Sequence, residues 1–209
     1  MKPQIPDQTR QVCVLVRRGH TLMDGPPKSR TLTALGLQQC LDHRVVWQNV
    51  ITAIPTDQFG EPVYRAGPSP AMILTCYHLF QPGQIEIAPE LAVCHSLKEL
   101  PGDWFQIRVA ADMTRAAIFQ DAYEDRAIRE ESAIGMEARR LRAFLDGACG
   151  TNRFVVAVSD EPAITLALLD VVPSSALALA PGEGVIVYRD LSGHFIGAQK
   201  VAFDAPVSV

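Results

Sequence analysis

Two uninterrupted apolar runs constrain this chain more than any other feature. Gln11 to Val16 reads QVCVLV, and Phe154 to Ser159 reads FVVAVS. Each has the length of one strand and lacks the alternation of polar and apolar residues that a half-exposed strand shows. Such runs fit strands covered on both faces. Two of them, far apart in sequence, are expected to lie side by side at the centre of a mostly parallel sheet with helices on both faces. Gly184 to Tyr188 (GVIVY) is a third strand. Paired with His194 to Phe203 across Arg189 to Gly193, it forms an antiparallel edge. Val63 to Ala66 is a weaker strand candidate.

Helical patterns separate these strands. Leu35 to Val46 places Leu37, Leu41 and Val45 four residues apart, which predicts an inward face. Ser69-Pro70 is a helix start, with serine as cap and proline in the first turn. Ile73, Cys76, Tyr77 and Phe80 follow at helical spacing. Ala111 to Ala127 reads as one charged amphipathic helix. Glu137 to Leu145 turns Leu141, Phe144 and Leu145 inward and leaves Arg139, Arg140 and Arg142 mostly solvated. Pro162 to Val171 follows the second central run, with Asp160 or Glu161 able to cap it. The predicted fold is therefore an α/β three-layer sandwich, with a mostly parallel sheet and an antiparallel edge. Residues 1–10 are polar, carry two prolines and do not read as a signal peptide; they are expected to be a flexible leader to a single domain over 11–209.

Composition narrows the function classes. Hydrophobic residues make up 48% of the 209 and the formal net charge is −4. That supports a sizeable core and argues against a nucleic-acid or anionic-membrane partner, both of which reward a basic face. No apolar stretch approaches the length of a bilayer span. Cys13, Cys40, Cys76, Cys94 and Cys149 are odd in number and widely spaced, without a C-x-x-C pair. They are expected to be small buried hydrophobes in a reducing, cytoplasmic setting. The histidines have no metal-ligand spacing, so neither a metal nor another cofactor is expected.

In open α/β sheets ligands sit beyond the carboxyl ends of the strands. Here those ends carry Arg17-Arg18-Gly19-His20 and Ser159-Asp160-Glu161. Around them the chain resembles the histidine phosphatase superfamily, the phosphoglycerate-mutase-like group. Leu15-Val16-Arg17-Arg18-Gly19-His20-Thr21 stands against the family's Leu-Val-Arg-His-Gly-x-Thr. Leu32-Thr33-Ala34-Leu35-Gly36-Leu37-Gln38-Gln39 matches its Leu-Thr-x-x-Gly-x-x-Gln helix start. Gly67 to Cys76 aligns with Ser-Pro-x-x-Arg-Ala-x-x-Thr-Ala. Leu97 to Trp104 resembles Leu-x-Glu-x-x-Gly-x-Trp with the glycine one position early, and Glu131-Ser132 precedes a helix carrying Arg139 and Arg140. Val158-Ser159-Asp160-Glu161 stands against Val-Ser-His-Gly. The order is kept over most of the chain.

The resemblance implies covalent chemistry through a phosphohistidine. Two arginines and a second histidine would hold the phosphoryl oxygens, and a carboxyl acid would protonate the leaving oxygen. Arg17 keeps the first arginine and Glu99 is the candidate acid. The remaining positions depart from the pattern. The nucleophile position carries Arg18, whose guanidinium has no lone pair to donate. The second arginine position carries Ala71, and the second histidine position Asp160. Asp160 has two open readings: a counter-charge paired with Arg18, or a plain helix cap. Arg18 could equally be a solvated loop cation, and Glu99 a surface acid; Trp104 reads as packing. His20 lies two residues beyond the nucleophile position and is the one imidazole candidate for it, against the plain reading of a solvated loop histidine.

Three functions follow. The first is a pseudoenzyme with an anion pocket, for phosphate or a phosphorylated small molecule, lined by Arg17 and Arg18 and aided by the helix N-terminus at Ser69. The second is an active phosphatase using His20 with Glu99. The third is an interaction or structural module without a phosphate ligand. The resemblance also allows a homodimer.

Overall fold

The computed structural model describes residues 2–21, 30–92, 100–131, 134–151, 153–169, 171–172 and 177–203. Six strands form one sheet in the order β3-β2-β4-β1-β5-β6. They are β1 (Gln11–Arg17), β2 (Val63–Ala66), β3 (Glu86–Ile87), β4 (Phe154–Ser159), β5 (Gly184–Arg189) and β6 (Phe195–Val201). The pairs β1–β4, β2–β4 and β2–β3 run parallel. The pairs β1–β5 and β5–β6 run antiparallel. The two apolar runs are thus the central neighbours they were expected to be. The antiparallel edge stands where the sequence placed it.

Side-chain alternation along the central strands sorts the core into two layers. Cys13, Leu15, Val155, Ala157, Val185 and Val187 face one side. That side is covered by α5 (Arg115–Glu124), α6 (Arg126–Glu131), α7 (Ile134–Thr151) and α8 (Glu161–Leu168). Val12, Val14, Val16, Val156, Val158 and Ile186 face the other, against α1 (Ala34–Thr52) and α3 (Pro70–Phe80). Every residue of β4 is buried, and full burial of a valine contributes about 1.5–3 kcal/mol. Two short helices, α2 (Thr56–Phe59) and α4 (Gly102–Ala110), and a 3-10 turn over Pro89–Leu91 also form among the described residues.

Three local expectations are corrected. On α1 the aliphatic face points outward: Leu37, Leu41 and Val45 are 37%, 41% and 63% exposed, whereas Gly36, Cys40, Trp47 and Val50 are buried. Trp47 fixes that rotation. Its Nε1–H donates to Gly182 O at 2.8 Å and its ring meets Phe80 and Phe203 edge-on. One anchored indole outweighs three aliphatic side chains on a neighbouring face. The single helix expected over 111–127 is broken. Asp112 sits at φ 56°, Thr114 caps α5, and Asp125 accepts from the N–H groups of Ala127 and Ile128 to start α6. Short polar side chains that can cap here end one helix and begin the next. On α7, Arg139 is exposed, but Arg140 donates to Ala92 O at 3.3 Å and Arg142 lies over the Tyr123 ring.

Residues 2–10, expected as a flexible leader, lie against the domain. Thr9 is buried, Ile5 packs on the α1 side of the core, and the Gln4 N–H donates to Gln199 Oε1 at 2.9 Å. Cys13, Cys40 and Cys76 are buried free thiols; Cys94 and the Cys149 side chain lie outside the described residues. Among the described residues no helix is long and apolar enough to cross a membrane.

Candidate functional site

The carboxyl ends of β1 and β4 are held in strict register, with Arg17 opposite Ser159. The Arg18 N–H extends the ladder by donating to Ser159 O at 2.8 Å. Arg18 therefore leaves the strand at a fixed place. The loop beyond is pinned just as firmly. Gly19 N–H donates to Thr75 Oγ1 at 3.0 Å, and His20 N–H to Gln39 Oε1 at 3.2 Å. The Thr33 N–H donates to His20 O at 3.1 Å. Thr33 also caps α1, accepting from the Gly36 N–H at 3.0 Å. Gly36 has to be glycine, because a Cβ there would sit 2.9 Å from His20 N and closer still to its carbonyl oxygen. The Leu-Thr-x-x-Gly stretch is thus the seat of the Arg18–Thr21 loop.

Two buried acids at the start of α8 meet two arginines at the end of β1. The Arg17 guanidinium makes an ion pair with Glu161 at 3.0 Å and also donates to Leu179 O. Burial pushes Arg17 below the ordinary guanidinium range, with Glu161 as the strongest offsetting charge. Burial likewise pushes the Glu161 carboxyl up, against the opposing pull of Arg17, Arg115, the Leu179 N–H and Lys200. Arg18 donates to the Thr21 hydroxyl, and its Nε is buried without a hydrogen-bond acceptor. Its pKa is lowered by burial first; Asp160 opposes this, while Arg17, Arg30 and Arg115 add repulsion. Arg30 and Arg115 therefore add to the positive charge felt at Arg18, with Asp160, Glu161 and Glu183 as the opposing charges around the pair.

The capping reading of Asp160 holds. Its Oδ1 accepts from the Ala163 N–H at 3.1 Å and its backbone oxygen from Ile164, so it caps α8. The same carboxylate is the strongest charge keeping Arg18 protonated. Arg18 is half-buried and held by Thr21, which sets aside the solvated loop cation.

Glu161 as the partner of Arg17 was not foreseen. An acid in a first helical turn ordinarily faces water and complements the helix dipole. The available signal was its place, directly after the end of the second central run and beside the strand end of Arg17 in the predicted sheet. Arg30 and Arg115 were missed because only the fold brings them near Arg18.

The remaining candidates are placed as follows. His20 is half-buried and its Nδ1 meets Thr33 Oγ1 at 2.9 Å, so the imidazole leans on the α1 cap. Ala71 is buried, and its N–H donates to Arg30 O at 3.0 Å. The N–H groups of Met72 and Ile73 return to Ser69, and Pro70 has none. The N–H groups of Ala71, Met72 and Ile73 in the first turn of α3 are thus already engaged within the protein. Glu99 and Ser132 lie outside the described residues. Trp104 packs against the core, with the Arg108 guanidinium 3.4 Å from its ring centroid. Among the described residues no group of three or more His, Cys, Asp or Glu could hold a metal.

Chemically, the guanidinium groups at this strand end can donate hydrogen bonds and carry positive charge, but they have no lone pair with which to act as nucleophiles. No family model matches the chain, and no curated protein does. Solved structures do. A phosphoglycerate mutase from Bacillus anthracis str. Sterne is similar with a TM-score of 0.61 and 13% identity, over 93% of this chain and 94% of that one. A phosphoserine phosphatase variant from Entamoeba histolytica, in complex with phosphoserine, gives 0.59 and 16%, over 89% and 94%. A mycobacterial glucosyl-3-phosphoglycerate phosphatase gives 0.56 and 19%, over 93% and 99%. These likenesses show the fold, a phosphoglycerate-mutase-like α/β sandwich, over 89–93% of this chain.

Proposed function

We propose that this chain is a histidine-phosphatase-fold domain without phosphoryl-transfer turnover, which keeps an arginine-lined pocket for phosphate or a phosphorylated small molecule. The observation that carries this is the position of Arg18. Its backbone is hydrogen-bonded to Ser159 and its guanidinium to Thr21, so the side chain at the end of β1 is a fixed cation. Asp160 opposes loss of its proton. A protonated guanidinium can hold an oxyanion through several N–H donors but cannot attack phosphorus. Arg17, Arg30 and Arg115 add the charge that draws an anion, and the half-buried setting strengthens the attraction relative to open water.

Two measurements test this reading. Incubation of the protein with p-nitrophenyl phosphate gives no release above background, while titration with inorganic phosphate gives binding that Arg18→Met weakens. Turnover abolished by His20→Ala would instead establish an active phosphatase. Absence of both turnover and phosphate binding would leave an interaction module. The triple variant Arg18→His/Ala71→Arg/Asp160→His gains turnover if the loss of chemistry is confined to these positions.

A further inference from the structure

We infer that Glu161 is a resident occupant of the Arg17 anion seat, so that phosphate enters the pocket only by displacing this carboxylate. The inference rests on the anion-pocket reading above and adds the residue that limits it. Arg17 is the arginine kept at the end of β1, and its Nη1 already has two partners: the Glu161 carboxylate, in an ion pair at 3.0 Å, and Leu179 O, to which it donates. The Glu161 side chain is 8% exposed. It cannot be a solvent-facing acid that happens to lie near an arginine. Carboxylate and phosphate oxygens are alternative charged partners for a guanidinium, so the Glu161 oxygen at Nη1 stands where an oxygen of an external oxyanion would bind.

The occupant is replaceable on physical grounds. Burial works against its charged form more strongly than its neighbours support it. The groups that face it are Arg17 from β1, Arg115 from α5, Lys200 from β6 and the Leu179 N–H. Arg115 is exposed and Lys200 is half-buried, so a displaced Glu161 has two further cations within its field. Lys200 is already shared with Glu183 at 3.5 Å and Ala178 O at 2.6 Å, which leaves Arg115 as the cation better placed to receive it. Exchange of one oxyanion for another keeps the guanidinium paired throughout, and avoids the cost of a buried unpaired charge.

The test is calorimetric titration of the intact chain with inorganic phosphate. Two variants remove the occupant's charge: Glu161→Gln keeps its size, and Glu161→Gly empties the position. Thermal unfolding confirms that each is folded, and either one suffices. The expected result is phosphate affinity at least tenfold above wild type, lost again when Arg17→Gln is added. Equal affinity in wild type and both variants, lost on Arg17→Gln, would overturn the role of Glu161 while leaving the pocket intact. Binding in no form of the protein would remove both the occupant role and the anion pocket.

Discussion

Replacing Gly36 by alanine separates two opposing effects of known size. In a helix interior, Gly→Ala is ordinarily stabilising by about 0.8–1.0 kcal/mol. Here the added methyl would lie 2.9 Å from His20 N and 3.1 Å from its carbonyl carbon, where ordinary contact begins at 3.4 Å. Both are backbone atoms, so the loop itself has to move. It is held by the donations Gly19 N–H to Thr75, His20 N–H to Gln39 and Thr33 N–H to His20 O. Each is a net contribution of about 0.5–1.5 kcal/mol. Loss of two of them, with the strain of overpacking at about 1–3 kcal/mol, outweighs the propensity gain. The expected outcome is destabilisation by about 1–5 kcal/mol, the sum of these terms less the helix gain. Urea denaturation followed by circular dichroism measures it, as a lower midpoint with an unchanged slope. A variant as stable as wild type, or more so, would refute the claim that Gly36 seats the Arg18–Thr21 loop.

Other consequences are independent of that loop. Asp160→Ala should cost about 1 kcal/mol for the lost α8 cap, in addition to its charge. Asp160→Asn should keep the cap yet still lose stability, by an amount that shrinks when Arg18→Met is added; no cost for Asp160→Asn would confine the residue to capping. Burial pushes the thiols of Cys40 and Cys76 up to about 11 and about 12, so both should resist maleimide at neutral pH in the native protein and label only after denaturation. For Glu161, burial raises the folded-state pKa above the unfolded one, so the native state binds more protons over that interval. Its contribution to stability is then fully present below the ordinary carboxylate pKa and is lost as pH rises through the raised folded value. Measured against Glu161→Gln, wild type should lose stability on going from mildly acidic to neutral pH; a difference that grows in favour of wild type with rising pH would reverse the sign.

Much of the architecture could be read directly. The two continuous apolar runs are β1 and β4, and their composition announced a place at the sheet centre because no strand with a wet face can be apolar throughout. Ser69, Thr33 and Asp160 sit at helix starts because short side chains with oxygen atoms compete for the first free N–H groups. What resisted reading was orientation. Leu37, Leu41 and Val45 keep helical spacing, yet Trp47 and Gly36 set the rotation of α1 through contacts with Gly182 and His20, residues distant in sequence. At the site, Arg17 and Arg18 were legible from the strand end. The pairing was not: Asp160 stood open between a counter-charge to Arg18 and a helix cap, and it caps α8, while the adjacent acid Glu161 holds Arg17. Adjacent residues at a helix start point in directions that only the packed structure resolves.

The account turns on whether any imidazole in this protein can accept a phosphoryl group. The direct measurement is mass spectrometry of the intact chain and its peptides under alkaline conditions, after exposure to a reactive phosphodonor such as phosphoramidate. With Arg18 in place of a nucleophile, the peptides spanning Val12 to Arg30 should stay unmodified, Arg18 and His20 included. A phosphorylated His20 would contradict it, and would return the chain to the working phosphatases.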